Sequence, residues 1–69
     1  MADVTIKQKQ VGNYHIEIRL TDRYNMTFYE VISTWYGKQD LNNVYSLDEI
    51  KQATRCFYRY CARAKRLGD

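Results

Sequence analysis

Residues 46–67, with the sequence SLDEIKQATRCFYRYCARAKRL, contain the pattern that decides the fold. Ser46 is followed three residues later by Glu49, a spacing typical of the capping box that starts a helix. A stripe of mostly apolar side chains then recurs with a helical period, and Gly68 provides a stop signal. This pattern predicts an amphipathic helix over residues 47–67. The stripe consists of positions 50, 54, 57, 58, 61 and 64.

The residues before this helix show the alternation of period two that is typical of β-strands. In residues 14–20 (YHIEIRL) the even-numbered side chains are aliphatic or aromatic and the odd-numbered ones are polar, which predicts a half-buried antiparallel strand. Residues 4–10 alternate more weakly, and their lysines suit an edge strand. Residues 26–36 are rich in β-branched and aromatic side chains, and residues 43–45 are a candidate for a short fourth strand.

Residues 26–36 carry apolar side chains on both faces, so the pattern does not decide which face meets the helix. If Phe28 and Ile32 face the helix, Tyr29 and Trp35 lie on the open face of the sheet. In that arrangement the two rings stand beside basic and polar side chains of the neighbouring strands. Those side chains are Lys7, Lys9, His15 and Arg19.

Together these segments predict a two-layer α+β domain in β-β-β-(β)-α order. A three- or four-stranded antiparallel sheet is covered on one face by the single C-terminal helix, and its other face is open. Gly12 and Asn13 predict a hairpin turn, and residues 37–40 predict another turn. The chain of 69 residues has no proline and no linker-like stretch, so we expect residues 1–69 to form a single small domain.

No catalytic constellation is visible, and we expect neither an enzyme nor a cofactor. Cys56 and Cys61 lie five residues apart on the predicted helix, too far apart for a disulfide, and with His15 they make a poor metal site. Cys61 falls on the apolar stripe and is expected in the core, whereas Cys56 is expected to be exposed. The chain also lacks a secretory signal and a long apolar run, so we expect a cytoplasmic protein with no membrane contact.

The charge distribution is uneven along the chain. Residues 1–46 carry equal numbers of basic and acidic side chains, whereas residues 47–67 carry six basic and two acidic ones. Arginine and lysine side chains spaced by four residues form one ridge along a helix, and such a ridge suits phosphates or carboxylates. The alternative is a solvated helix face that also favours the helix dipole. The candidate anion-binding residues are Lys51, Arg55, Arg59, Arg63 and Arg66.

Aromatic side chains are the second notable feature, with ten Phe, Trp and Tyr residues in the chain. Tyrosine and tryptophan are common at binding surfaces, where one end of the side chain packs and the other contacts water. Tyr29, Trp35 and Tyr60 are therefore candidates for an aromatic binding surface. The other large rings are expected to fill the core of so small a domain, namely Tyr14, Phe28, Phe57 and Tyr58.

The order of strands followed by a capped helix resembles that of two kinds of small nucleic-acid binder. These are the integrase arm-binding domains, with three strands and a helix, and the coactivator-type single-strand binders, with four strands and a helix. A short, proline-free chain without catalytic motifs also resembles accessory proteins of phages and mobile elements. Some of those proteins inhibit host defence nucleases such as CRISPR effectors.

These observations lead to one main functional prediction and two alternatives. The main prediction is a non-enzymatic binding module that contacts nucleic acid or another anionic surface through the basic helix ridge and exposed aromatic side chains. The first alternative is a phage or mobile-element accessory protein that binds and inhibits a host protein complex. The second is a structural homodimer in which the open sheet faces bury each other, which would account for an exposed Tyr29 and Trp35.

Overall fold

Four antiparallel strands followed by one helix make up the fold, as predicted. The computed structural model describes residues 3–68. The sheet has the order β1-β2-β3-β4, and every neighbouring pair is antiparallel. The α+β arrangement with a C-terminal helix is therefore confirmed. The elements are β1 (Asp3–Val11), β2 (Tyr14–Arg23), β3 (Met26–Trp35), β4 (Lys38–Tyr45), a 3-10 turn (Leu47–Glu49) and α1 (Ile50–Leu67).

The fourth strand is longer than the sequence pattern indicates. β4 begins at Lys38, so the predicted turn at residues 37–40 is wrong and the turn consists of Tyr36 and Gly37. The first residues of β4 are polar and show no alternation, because this edge strand is largely exposed to water. Both turn residues have positive φ, 50° and 78°, as in the type I′ turn that matches the twist of a two-residue hairpin.

Both edge strands contain a β-bulge. In β1 the pairing with β2 shifts between Thr5 and Lys7, so that Ile6 is the extra residue. In β4 the pairing with β3 shifts between Gln39 and Leu41, so that Asp40 is the extra residue. A bulge changes which face of the sheet the next side chain points to, and Asp40 consequently lies on the helix side.

The pairing of β2 with β3 decides which face of β3 meets the helix. Ile18 pairs with Val31, and both are buried in the core against α1. Leu20 pairs with Tyr29 and Tyr14 pairs with Trp35, so these two rings lie on the helix side of the sheet. The structure decides the face that the sequence pattern left open, and the arrangement with Tyr29 and Trp35 on the open face is not the one adopted.

Phe28 and Ile32, which the other arrangement would put at the helix, lie on the open face, since side chains alternate along a strand. The physical reason is the tight turn between β2 and β3. A two-residue turn at Tyr24 and Asn25 fixes the register, and the register assigns each side chain of β3 to a face. Both faces of β3 carry apolar side chains, so hydrophobicity alone does not reveal the answer.

The helix is rotated about its axis relative to the predicted stripe. Ala53, Cys56, Phe57 and Ala64 are buried, whereas Tyr58 is 54% exposed. The expectations for the two cysteines are reversed, because Cys56 is buried and Cys61 is half-buried. Ala53 and Ala64 pack in the core against larger side chains of the sheet. Helix positions with small side chains therefore also face the sheet, and the predicted stripe omitted position 53.

The predicted capping box starts the helical segment. The Ser46 backbone N–H donates to Glu49 Oε1 at 2.9 Å, and the Ser46 hydroxyl donates to Asp48 Oδ1 at 2.5 Å. The first turn is 3-10, so α1 itself begins three residues later than predicted. At the other end Gly68 has a φ of 72° and donates its N–H to the Ala64 carbonyl. Within residues 3–68 no helix has the length and apolarity needed to cross a membrane.

Candidate anion-binding surface

Four of the five predicted anion-binding side chains form an exposed basic surface on α1. Each is solvent-exposed, and none has an ion-pair partner among residues 3–68. The surface follows the outer side of the helix, away from the sheet, because α1 buries its other side in the core. We call these four side chains the helix cations: Lys51, Arg55, Arg59 and Arg66.

Arg63, the fifth predicted residue, is not part of this exposed surface. Its Nη1 donates to Asp40 Oδ2 at 2.6 Å, and its guanidinium lies 5.9 Å from the centre of the Tyr14 ring. The Ser33 hydroxyl also donates to Asp40 Oδ2, at 3.4 Å. The bulge in β4 is what places the Asp40 carboxylate within reach of the helix. Arg63 therefore ties the end of α1 to the sheet.

Helix geometry explains why the predicted ridge divides at this residue. Side chains four residues apart are displaced by about 40° around a helix axis. A row that starts at Lys51 has therefore turned by about 120° when it reaches Arg63. The start of the row faces solvent, and its end faces the sheet.

The three predicted aromatic binding residues do not come together on an exposed surface. Tyr29 and Tyr60 are half-buried and pack against the core. Burial and the interaction with the Cys56 side chain raise the pKa of Tyr60 well above its usual value. Trp35 is 41% exposed, but it lies between Tyr14 and Tyr36, with ring centres 6.1 and 4.7 Å away.

The argument for a homodimer consequently loses its basis, because it relied on Tyr29 and Trp35 being exposed on the open face. Both rings are on the helix side and make contacts within the chain. Phe28 is the aromatic side chain that β3 places on the open face, and it is half-buried there.

A second group of cations lies where β1 meets α1. It includes Lys7 and Lys9, which the sequence pattern associated with the open face but which pair with Ile18 and Ile16 and therefore lie on the helix side. Lys7 Nζ donates to the Tyr58 hydroxyl at 3.0 Å and lies 5.3 Å from the centre of that ring. Beside it, Lys9 and Lys65 line an open groove of about 340 Å³ together with Gln10, Val11, Cys61 and Ala62. The signal in the sequence is the spacing of Lys7 and Lys9, which puts both on one face of β1. We call Lys7, Lys9 and Lys65 the β1-side lysines.

Cys61 lines this groove together with Lys9 and Lys65. Burial raises the pKa of the Cys61 thiol, and the charge of Lys9 partly opposes that shift. The lining residues of the groove include no acidic side chain. The groove is therefore lined by the amino groups of Lys9 and Lys65 and the thiol of Cys61, next to the apolar side chains of Val11 and Ala62.

The open face of the sheet holds carboxylates that are already bonded. Glu17 is only 8% exposed and accepts hydrogen bonds from Arg19 and Thr5. Glu30 accepts from Thr21 and Asn42. The Glu17 and Glu30 carboxylates of the open face are thus satisfied within the chain, and most exposed cations without an ion-pair partner among residues 3–68 lie on the helix side. The sequence signal for these hydrogen bonds is the alternation of polar and apolar side chains in β2, which puts Glu17 and Arg19 on one face.

Eight of the eleven basic side chains lie on α1 or on the face of β1 that α1 covers, and no acidic side chain of residues 3–68 lies there. Chemically, this side of the molecule can donate many charge-assisted hydrogen bonds to an anion. In the described part of the chain, no group of three His, Cys, Asp or Glu side chains is arranged to hold a metal ion. No family model, curated protein or solved structure matches the chain.

Proposed function

We propose that this protein is a non-enzymatic nucleic-acid binder that contacts the phosphate backbone through the helix cations. The observation that carries the proposal is the contrast between two sets of arginines. Arg63 and Arg19 each hold a carboxylate of the chain itself. The helix cations are exposed and have no such partner among residues 3–68.

The dimensions of the surface fit a phosphate backbone. From Lys51 to Arg66 the helix extends for roughly 22 Å. Duplex nucleic acid presents one phosphate charge about every 1.7 Å along its axis, so each cation finds several phosphates within reach. Arginine also donates two parallel hydrogen bonds to a phosphate, which lysine cannot do.

The test compares two double variants that each remove two positive charges. Arg55→Gln/Arg59→Gln removes two helix cations and keeps good helix formers. Arg23→Gln/Lys38→Gln is the matched control, because those two side chains lie in β2 and β4, outside the helix surface. Binding to a 20-base-pair DNA is measured by fluorescence anisotropy over a series of salt concentrations.

We expect the helix variant to bind at least tenfold more weakly at low salt, since two charge-assisted contacts are lost. The slope of log K against log salt should become shallower by about 1.8, because each lost phosphate contact contributes about 0.9. The control should keep the slope of the parent protein. Equal slopes for the helix variant and the parent would refute the proposal.

The alternative prediction is an inhibitor that docks on a host protein complex. In that case the same helix cations would bind carboxylates of an acidic protein surface. This alternative predicts no salt-dependent binding of free DNA or RNA by the parent protein. That result would contradict the nucleic-acid proposal and leave the protein-partner alternative in its place.

A further inference from the structure

Cations lie on both flanks of α1. On the flank that faces β4, Arg59 lies near Tyr45 of that strand. Its positive charge lowers the pKa of the Tyr45 phenol, although other effects are larger and raise that pKa overall. On the opposite flank the β1-side lysines border the groove between β1 and α1. Arg59 and Lys65 are six residues apart on α1, so they point about 120° apart around its axis, with Lys51 and Arg55 on the outer side between them. The outer side of α1 is therefore bordered by positive charge on each flank.

The width of a helix sets the distance between these two flanks. An α-helix with its side chains is about 10–12 Å across. The major groove of B-form DNA is about 12 Å wide, admits a helix, and is bordered by the phosphates of the two strands. Cations on both flanks of a helix are thus placed to reach both strands, whereas a single strand can occupy only one flank.

Single-stranded nucleic acid is usually held by exposed rings on which bases stack. Tyr29 and Tyr60 pack against the core and are not available for this. Tyr58 is exposed next to the helix cations, but Lys7 bonds to its hydroxyl and lies over its ring. Among residues 3–68 the exposed Trp35 and Tyr36 rings contact each other, with centres 4.7 Å apart. Charge on two flanks of α1, with the nearby rings held by other side chains, favours a duplex.

We propose that the ligand is double-stranded DNA, with the outer side of α1 at the major groove, Arg59 and Arg66 on one strand and the β1-side lysines on the other. This inference rests on the proposed function and adds to it the kind of nucleic acid and a second row of contacts. The helix and the groove are held in one orientation by the Arg63–Asp40 ion pair and by the bond from Lys7 to Tyr58.

The first experiment removes two members of the second row. Lys9→Gln/Lys65→Gln is compared with the parent and with the Arg23→Gln/Lys38→Gln control on three probes: a 20-base-pair DNA, a single strand of equal length and a 20-base-pair RNA. We expect the lysine variant to lose about 1.8 from the salt slope on duplex DNA and to keep the parent slope on the single strand. The RNA duplex should bind more weakly, because its major groove is deep and narrow.

A second experiment uses Cys61 to report whether the groove is covered. Cys61 is half-buried at the groove, whereas Cys56 is only 5% exposed and serves as an internal control for unfolding. Saturating duplex DNA should slow maleimide alkylation of Cys61 several-fold, as measured by peptide mass spectrometry. A single strand at saturation should leave the rate unchanged.

The outcomes separate this inference from the proposed function. An unchanged duplex slope in the lysine variant, or an unprotected Cys61 in the duplex complex, would overturn the two-row arrangement. Single-stranded DNA that binds as tightly as duplex would also overturn it. In each of these cases the proposed function survives if Arg55→Gln/Arg59→Gln still weakens binding. Absence of any salt-dependent binding by the parent would overturn the proposed function itself.

Discussion

Tyr24 has a backbone φ of 57°, in the left-handed region that residues other than Gly and Asn rarely adopt. It occupies the first position of the turn between β2 and β3, and Asn25 follows with a φ of 60°. The Tyr24 ring is 86% exposed, so burial does not offset the cost of this conformation. The turn fixes the register of the sheet although its first residue disfavours the turn.

Replacing Tyr24 by Asn should therefore stabilise the protein. Asn tolerates the left-handed conformation, and we expect the free energy of unfolding to rise by about 1 kcal/mol. Thermal denaturation should show this as an increase in Tm of about 4–8 °C for a domain of this size. Tyr24→Ala is the matched control, because it removes the same ring and keeps the unfavourable φ. A gain of similar size in the control would show that the ring, not the backbone, is responsible.

At the scale of elements, α1 and β4 meet through a small polar cluster within the core. The Cys56 side chain lies beside Tyr60 of the helix and Tyr45 of the strand, and Asn43 Nδ2 donates to its Sγ at 3.7 Å. Burial is the largest cause that raises the pKa of Tyr60, and the interaction with the Cys56 side chain is the second. For Tyr45 the interaction with Cys56 is the largest cause that raises the pKa, and burial is the second. Both phenols therefore keep their protons in the folded protein at pH values where an unfolded chain loses them.

This arrangement predicts a loss of stability at alkaline pH. A pKa that is higher in the folded state than in the unfolded state contributes stability below the unfolded value, about 10, and loses it as pH rises further. We expect the free energy of unfolding to fall between pH 10 and 12, and Tyr60→Phe to make that fall shallower. Urea denaturation at several pH values measures it. The exposed Tyr24→Phe is the control, and an identical pH profile for Tyr60→Phe and the parent would contradict the prediction.

The helix and its capping box could be predicted because their signals are local. The face of β3 could not, because Phe28 and Tyr29 are similarly apolar and only the turn at Tyr24 distinguishes them. The exposed position of the helix cations could be predicted from their spacing along the helix. The ion pair of Arg63 could not be predicted, because its partner Asp40 lies at a bulge in β4, a strand whose sequence shows no alternation.

On the scale of the whole molecule, charge is separated between the two sides of the sheet. The Glu17 and Glu30 carboxylates of the open face are bonded within the chain, and exposed cations without an ion-pair partner among residues 3–68 surround α1. The bulge at Asp40 brings a carboxylate to the basic side, where it pairs with Arg63. That ion pair limits the number of cations that are free to bind phosphates.

Asp40→Asn should release Arg63 to join the helix cations. We expect the salt slope for duplex DNA to become steeper by about 0.9, the contribution of one further phosphate contact. The free energy of unfolding should fall by about 1 kcal/mol or less, since both partners of the ion pair are partly exposed. Asp22→Asn changes the net charge equally, and a similar steepening in that control would show a general charge effect instead.

The bulges at Ile6 and Asp40 have a consequence for the protein at high concentration. β1 and β4 are the two edges of the sheet, and an edge strand is a template on which another chain can pair. At each edge the bulge interrupts the regular ladder of backbone N–H and C=O groups. An incoming strand can match only one side of the interruption, so sheet-to-sheet polymerisation is opposed at both edges by a single extra residue in each.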